Sequence, residues 1–295
     1  GHQRYLVELR NIPAKSCTPL KLETGEVPEY FVKETENLQE LPESIQTDFF
    51  NFTIDKDSGD LLQVKNADNS KTYNEQALFE LKVQLPKNFT QSWAKAGMTQ
   101  LKESFFPNAK ITRCGLRFDG PLCTCIEQRG NFADKLNYRL HFFIYKHFPF
   151  IDVDCFIDKA AHRDLISIYL SCQLSGTVKK WKIAQHGAVI NPSKDLLPGA
   201  MKDLFYAPQG AWLKNEKFTA LMQSMDAPIL HPGKPYLFAW LSDRDFLQEP
   251  AEFHWNIYQN LPISDCPAWQ KILNNFRFRL YLDVEEKFPP MPDSI

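Results

Sequence analysis

Between residues 138 and 158 the runs YRLHFFIY and FIDVDCFID exchange polar and apolar side chains at nearly every step. On an extended backbone this puts Ile151, Val153, Cys155 and Ile157 on one side, and Asp152, Asp154, Phe156 and Asp158 on the other. A helix would scatter the same acids around its circumference. KHFPF (146–150) supplies a turn between the two runs, so the pair predicts an antiparallel hairpin. NFTIDKDSGDLLQV (51–64) predicts a second hairpin, with Gly59 taking the positive φ of a bulged loop. LFELKVQL (78–85) and FRFRLYLDV (276–284) are further strands.

Twenty prolines spread along the chain oppose long helices. One short helix is predicted over SDCPAWQKILNN (264–275), where Ser264 or Asp265 can cap and Pro267 falls in the first turn. No repeat of fixed period and no low-complexity tract interrupts the pattern. Residues 1–24 are expected as a small N-terminal β-segment, 25–45 as a polar linker and 46–295 as the main body. The architecture that follows is an antiparallel, many-stranded sandwich with few short helices.

The 295 residues are 43% hydrophobic and include 23 Phe, ample material for a sizeable core. A net charge of −2 gives no electrostatic attraction for nucleic acid or an anionic membrane. No apolar run approaches the roughly 18 residues that span a bilayer. The opening Gly1-His2 resembles a tag-cleavage scar, and a piece of a longer protein is expected; the compartment is not legible. The seven cysteines (17, 114, 123, 125, 155, 172 and 266) lack metal or redox spacing and are expected as mostly buried thiols. Asn51 and Asn88 head glycosylation sequons, relevant only to a secreted eukaryotic protein.

Each candidate for chemistry has a plainer reading. Asp152 and Asp154 could be the paired acids of glycoside hydrolysis, but acids alternating with apolar residues also describe a solvated strand face. Asp55, Asp57 and Asp60 in DKDSGD resemble a calcium loop with the glycine one place early and no closing Glu, so a turn is expected. His162-Arg-Asp164 has a spacing some zinc sites use, without a third ligand nearby. No cysteine sits at a nucleophile-bearing turn and no glycine-rich phosphate loop occurs. Trp212, Trp240, Trp255 and Tyr258 could stack on sugar rings or fill the core. Asp226, in SMDAPILHPG, is read as a corner acid that hydrogen-bonds nearby backbone N–H groups, with a place on a sugar rim as the alternative.

Several segments in order resemble the C-terminal region of family 38 glycoside hydrolases, the α-mannosidase-related proteins. They are VELRNIPAKSCTPLKLE (7–23), QTDFFNFTIDKDSGDLLQVKNADNSKTYN (46–74) and FIDVDCFIDKAAHRDLISIYLSCQL (150–174). INPSKDLLPGAMKDLFYAPQGAWL, SMDAPILHPG and PYLFAWLSDRDFLQEPAEFHWNIY, between residues 190 and 258, complete the set. The resemblance implies an all-β, galactose mutarotase-like antiparallel supersandwich. It implies no catalytic residue, metal ligand or cofactor in this stretch, because the family's zinc and aspartate nucleophile belong to an N-terminal barrel. The family's zinc-ligand segment has no counterpart here, and SDRDFLQEP replaces an asparagine-rich stretch.

The implied role is to brace that barrel and wall its sugar site, with a glycan or oligosaccharide and the barrel of the same chain as partners. Asp226, Trp212, Trp240, Trp255 and Tyr258 are the candidate sugar contacts. A stand-alone carbohydrate-binding module is the alternative. A self-standing sugar epimerase or lyase is a third reading, with His141, His186 and Glu252 as its acid–base set.

Overall fold

The computed structural model describes residues 37–86, 104–132, 135–161, 166–185, 187–235, 244–259 and 271–284. Every regular element among them is a strand. In chain order these are β1 (Ser44–Gln46), β2 (Phe50–Ile54), β3 (Leu61–Asn66), β4 (Phe79–Pro86), β5 (Ser104–Phe105) and β6 (Lys110–Asp119). They continue with β7 (Cys123–Phe132), β8 (Leu136–Tyr145), β9 (Phe150–Lys159), β10 (Ser167–Gln173), β11 (Lys180–Gln185) and β12 (Ala188–Ile190). The last six are β13 (Phe205–Tyr206), β14 (Gly210–Lys214), β15 (Thr219–Ser224), β16 (Ile229–Pro232), β17 (Glu252–Gln259) and β18 (Ile272–Leu282).

The strands form three antiparallel sheets. One has three strands, β1-β2-β3; a second has six, β13-β16-β17-β10-β4-β5; the third has nine, β12-β11-β14-β15-β18-β9-β8-β7-β6. Period-two alternation dictates how the larger sheets meet. On β9 the residues Ile151, Val153, Cys155 and Ile157 are buried while their neighbours are half-exposed. The expected hairpin places Leu140 opposite Cys155, Phe142 opposite Val153 and Ile144 opposite Ile151.

Rings from the two sheets then close the core between them. Phe79 stacks on Phe142 at 5.9 Å, Trp181 meets Phe253 edge-on at 5.1 Å, and Trp255 lies 6.5 Å from Phe278. Each fully buried aromatic or aliphatic side chain in this layer stabilises the fold by roughly 1.5–3 kcal/mol. Each sheet therefore has an apolar inner face and an outer face free to carry polar groups.

The 51–64 hairpin forms as its turn residues require. Asp55 Oδ1 accepts the N–H groups of Asp57 and Ser58, Gly59 adopts φ +79°, and the register shifts between Thr53 and Ile54. The helix expected over 264–275 is corrected where it is described: Ile272–Asn275 extend β18 and pair with Lys159–Phe156 of β9. Ile272 packs against the core there, and sheet pairing outweighs a weak helical propensity. The remainder, 264–270, lies outside the described residues, as does the expected N-terminal segment 1–24.

Of the stretch expected as a linker, residues 37–45 are described. Gln39 exchanges two backbone hydrogen bonds with Leu116, Leu41 and Ile45 are buried, and Ser44 begins β1. Cys123, Cys125, Cys155 and Cys172 are buried and Cys114 is half-buried. Burial pushes the Cys123 thiol up to about 12; Cys17 and Cys266 lie outside the described residues.

Candidate functional site

The outer face of the six-stranded sheet carries a cluster of titratable groups. The alternation that sends Leu81, Val83, Leu170, Cys172, Phe253 and Trp255 into the core turns the residues between them outward. Those are Lys82 and Gln84 on β4, Tyr169 and Ser171 on β10, and Glu252 and His254 on β17, with His231 on β16. Register brings the middle of the group together: Ser171 is opposite His254, and His254 is opposite His231.

This polar face is covered. Tyr169, Ser171, His231 and His254 are all at most 1% exposed, and buried polar groups of this kind need partners. Ser171 Oγ is 2.6 Å from His254 Nδ1, and Glu252 Oε2 is 2.9 Å from His254 Nε2. Lys82 Nζ lies 3.6 Å from the same carboxylate. The Tyr169 hydroxyl donates to Gln84 Oε1 at 2.9 Å, and Gln84 Nε2 donates to the Pro235 carbonyl at 3.2 Å. Close by, Arg244 donates to the carbonyls of Pro232 and Lys234 and to Glu249.

Burial pushes His254 down to about 4, so the ring is neutral near pH 7. Burial alone would raise the Glu252 carboxyl, but His254 and the Lys82 ammonium outweigh it and hold the acid below its ordinary value. Nδ1 shares a hydrogen bond with the Ser171 hydroxyl, whereas Nε2 lies near the carboxylate without hydrogen-bond geometry. Serine, imidazole and carboxylate in a row can activate a nucleophile. Here Ser171 has no exposed surface, and only Glu252 and Lys82 reach solvent, at 18% and 17% of their side chains. The Ser171 hydroxyl is enclosed within the sheet and presents no reacting oxygen.

The residues singled out from sequence are dispersed. Asp226, in the turn between β15 and β16, accepts the backbone N–H of Arg277 at 2.9 Å and both arms of its guanidinium at 3.0 Å. It is a corner acid, but it ties the turn to β18; Ser224 Oγ takes the local bond, from the Ala227 N–H. Trp255 is fully buried in the inter-sheet core, and Trp212 is 2% exposed against Ala184 and Leu221. Neither offers a ring face to a sugar, because the sheets need that apolar area themselves. Tyr258 is half-buried with Lys159 Nζ 4.8 Å from its ring. Trp240 lies outside the described residues.

The proposed acid–base set does not assemble either. His141 belongs to the nine-stranded sheet, where it contacts Glu127 at 2.8 Å, whereas Glu252 belongs to the six-stranded one; His186 lies outside the described residues. Asp152 is held by Arg279 Nε and Nη2 at 2.6 and 2.8 Å and by the Tyr145 hydroxyl at 2.9 Å. Asp55 and Asp60 are engaged in their turn, Asp60 accepting from Gln128 Nε2 at 2.7 Å. Among the described residues no three His, Cys, Asp or Glu side chains gather as a metal-ligand set. His162 and Asp164 lie outside them. Among the described residues, too, no helix is long and apolar enough to cross a membrane.

Sequence reasoning passed over Ser171, His254 and Lys82. The Glu252-Phe-His254 spacing was a usable signal, since residues two apart on a strand share a face. Ser171 needed the register and had no local signature.

No family model and no curated protein sequence matches this chain. Solved structures do share its fold. A protein of glycosyl hydrolase family 38 from Enterococcus faecalis superposes with a TM-score of 0.57 at 8% identity, covering 83% of this chain and 30% of its own. An alpha-mannosidase from Enterococcus faecalis V583 gives 0.56 at 8% identity, with 83% and 29% covered. A galactose mutarotase-like protein from Lactobacillus casei ATCC 334 gives 0.42 at 9% identity, with 81% and 98% covered. The chain thus spans less than a third of the two Enterococcus proteins it overlays. What they share with it is the all-β supersandwich.

Proposed function

We propose that this chain is the supersandwich domain of a family 38-like glycoside hydrolase, non-catalytic by itself, which braces a catalytic barrel and borders its sugar site. The observation that carries this reading is the superposition of most of this chain on under a third of a family 38 protein. The site chemistry agrees with a supporting role. A retaining glycosidase needs two working carboxylates about 5–5.5 Å apart, whereas Asp152, Asp226 and Glu127 are each bound by arginine. In the parent protein the zinc and the nucleophile belong to the barrel, and the reaction is hydrolysis of an α-mannoside or related glycoside.

The test compares this chain with the intact parent protein on an aryl α-mannoside. Turnover by the parent and none by the chain is the expected result. Hydrolysis by the isolated chain, or an inert parent, would overturn the reading. Titration with mannose oligosaccharides separates the alternative, a carbohydrate-binding module: a brace shows no saturable binding alone, and a module does.

A further inference from the structure

Towards its β6 edge the outer face of the nine-stranded sheet carries a row of arginines. Arg113 on β6, Arg129 on β7 and Arg139 on β8 are successive direct partners across three adjacent strands. Side chains so paired stand on one face about 5 Å apart. Like charges directly opposite one another weaken a sheet, yet here three come in line. Arg117 joins them one step along, bound to Glu127 at 2.5 Å.

Glu127 is the one carboxylate that β7 and β8 place on this face, and it is fully committed. Its side chain is completely buried, and it contacts Arg117, Arg129 and His141. Two guanidiniums thus neutralise Glu127, Arg113 and Arg139 extend the row to either side, and β9 brings Asp154 and Asp158 to the same face next to Arg139. Arg113 is exposed and 38% of the Arg129 side chain is open to solvent.

The rows beside the ladder narrow the chemistry. On one side Asn131 and Asn137 are direct partners and supply amide donors and acceptors. On the other, Phe118 and Phe143 lie 6.4 Å apart with half-exposed rings. Phe156, one strand further on, carries the Arg139 guanidinium 5.1 Å from its centroid. Guanidinium forks suit planar carboxylates, amides suit hydroxyls, and ring faces suit sugar C–H groups. Gln39 already occupies the hydrogen bonds of Leu116, so a peptide adding to the edge of β6 could not pair there.

We propose that the Arg113–Arg129–Arg139 ladder, with Asn131 and Asn137 beside it, binds an acidic oligosaccharide through its uronate carboxylates. This holds whether or not the domain braces a barrel, since the ladder belongs to this chain's own surface.

The experiment titrates the chain by calorimetry with oligogalacturonate, with a neutral mannose oligosaccharide of similar length, and with poly-aspartate. Saturable galacturonate binding, weakened by salt and stronger than poly-aspartate binding, is expected, with no binding of the neutral sugar. The double variant Arg113→Gln, Arg139→Gln, shown folded by circular dichroism, is expected to bind galacturonate at least about ten-fold more weakly. The proposal is overturned if galacturonate does not bind saturably or binds no better than the neutral sugar. Equal or tighter binding of poly-aspartate, or an unaffected folded variant, overturns it as well.

Discussion

Asp152 and Asp226 show how similar acids acquire different weights from burial. Asp226 and Arg277 are 29% and 60% exposed, so water screens their pairing. Asp226→Asn is expected to cost no more than about 1 kcal/mol. Arg279 is bidentate to Asp152 and lies 4.0 Å over the Phe150 ring, with Asp152 only 18% exposed. Arg279→Ala is expected to cost more, about 2 kcal/mol, since it leaves a largely desolvated carboxylate without its cation. Urea denaturation of both variants checks the order. His254 sets a pH dependence. Its folded value of about 4 lies below the ordinary 6.5, so between these values the unfolded chain binds more protons. Stability therefore falls as pH is lowered from about 6.5 to about 4. The carboxylates held low by their partners, Asp226 and Glu252, lose their contribution further down, below about pH 4. His254→Gln is expected to flatten the upper window in urea midpoints taken at successive pH values; an unchanged slope would count against a neutral buried ring.

At the scale of elements, β6 is an edge strand and edges invite unwanted pairing. Residues 38–39 cover part of it, and Gly115 permits the approach: a Cβ there would lie 2.5 Å from Leu38 Cβ and 2.8 Å from the Gln39 carbonyl. Gly115→Val is expected to cost about 1–3 kcal/mol. It should also strip hydrogen-exchange protection from the Leu116 amide, which donates to Gln39. Retained protection would mean that the covering segment shifts rather than leaves. The β18 boundary carries a lesson about local signals. Ser264, Pro267 and the apolar residues after them satisfy helix rules, yet Ile272–Asn275 lie in a strand because β9 offers ten successive partners to β18. Trp255 was more legible than its candidacy as a sugar contact allowed: it alternates in step with Phe253 and Ile257, all three buried, which marks the inner face of β17.

At the scale of the whole molecule the sheets are built from distant segments: Tyr281 pairs with Phe150, and Leu170 with both Leu81 and Trp255. Loop-closure entropy must be met before such contacts form, so refolding is expected on the order of seconds or slower. Stopped-flow tryptophan fluorescence tests this, and complete recovery in one millisecond phase would contradict it. The sequence alone determined the strand character, the inward parity of Ile151 to Ile157, the Asp55–Gly59 turn and the antiparallel, many-stranded sandwich, because alternation and turn chemistry act between near neighbours; the supersandwich class came from the family resemblance. Only the tertiary structure decided that Trp212 is covered, that Asp226 reaches Arg277, that Ser171 meets His254, and that three arginines fall in line. A strand's pattern fixes which side chains share a face; which strand lies beside it, and what covers that face, depends on partners brought from far along the chain.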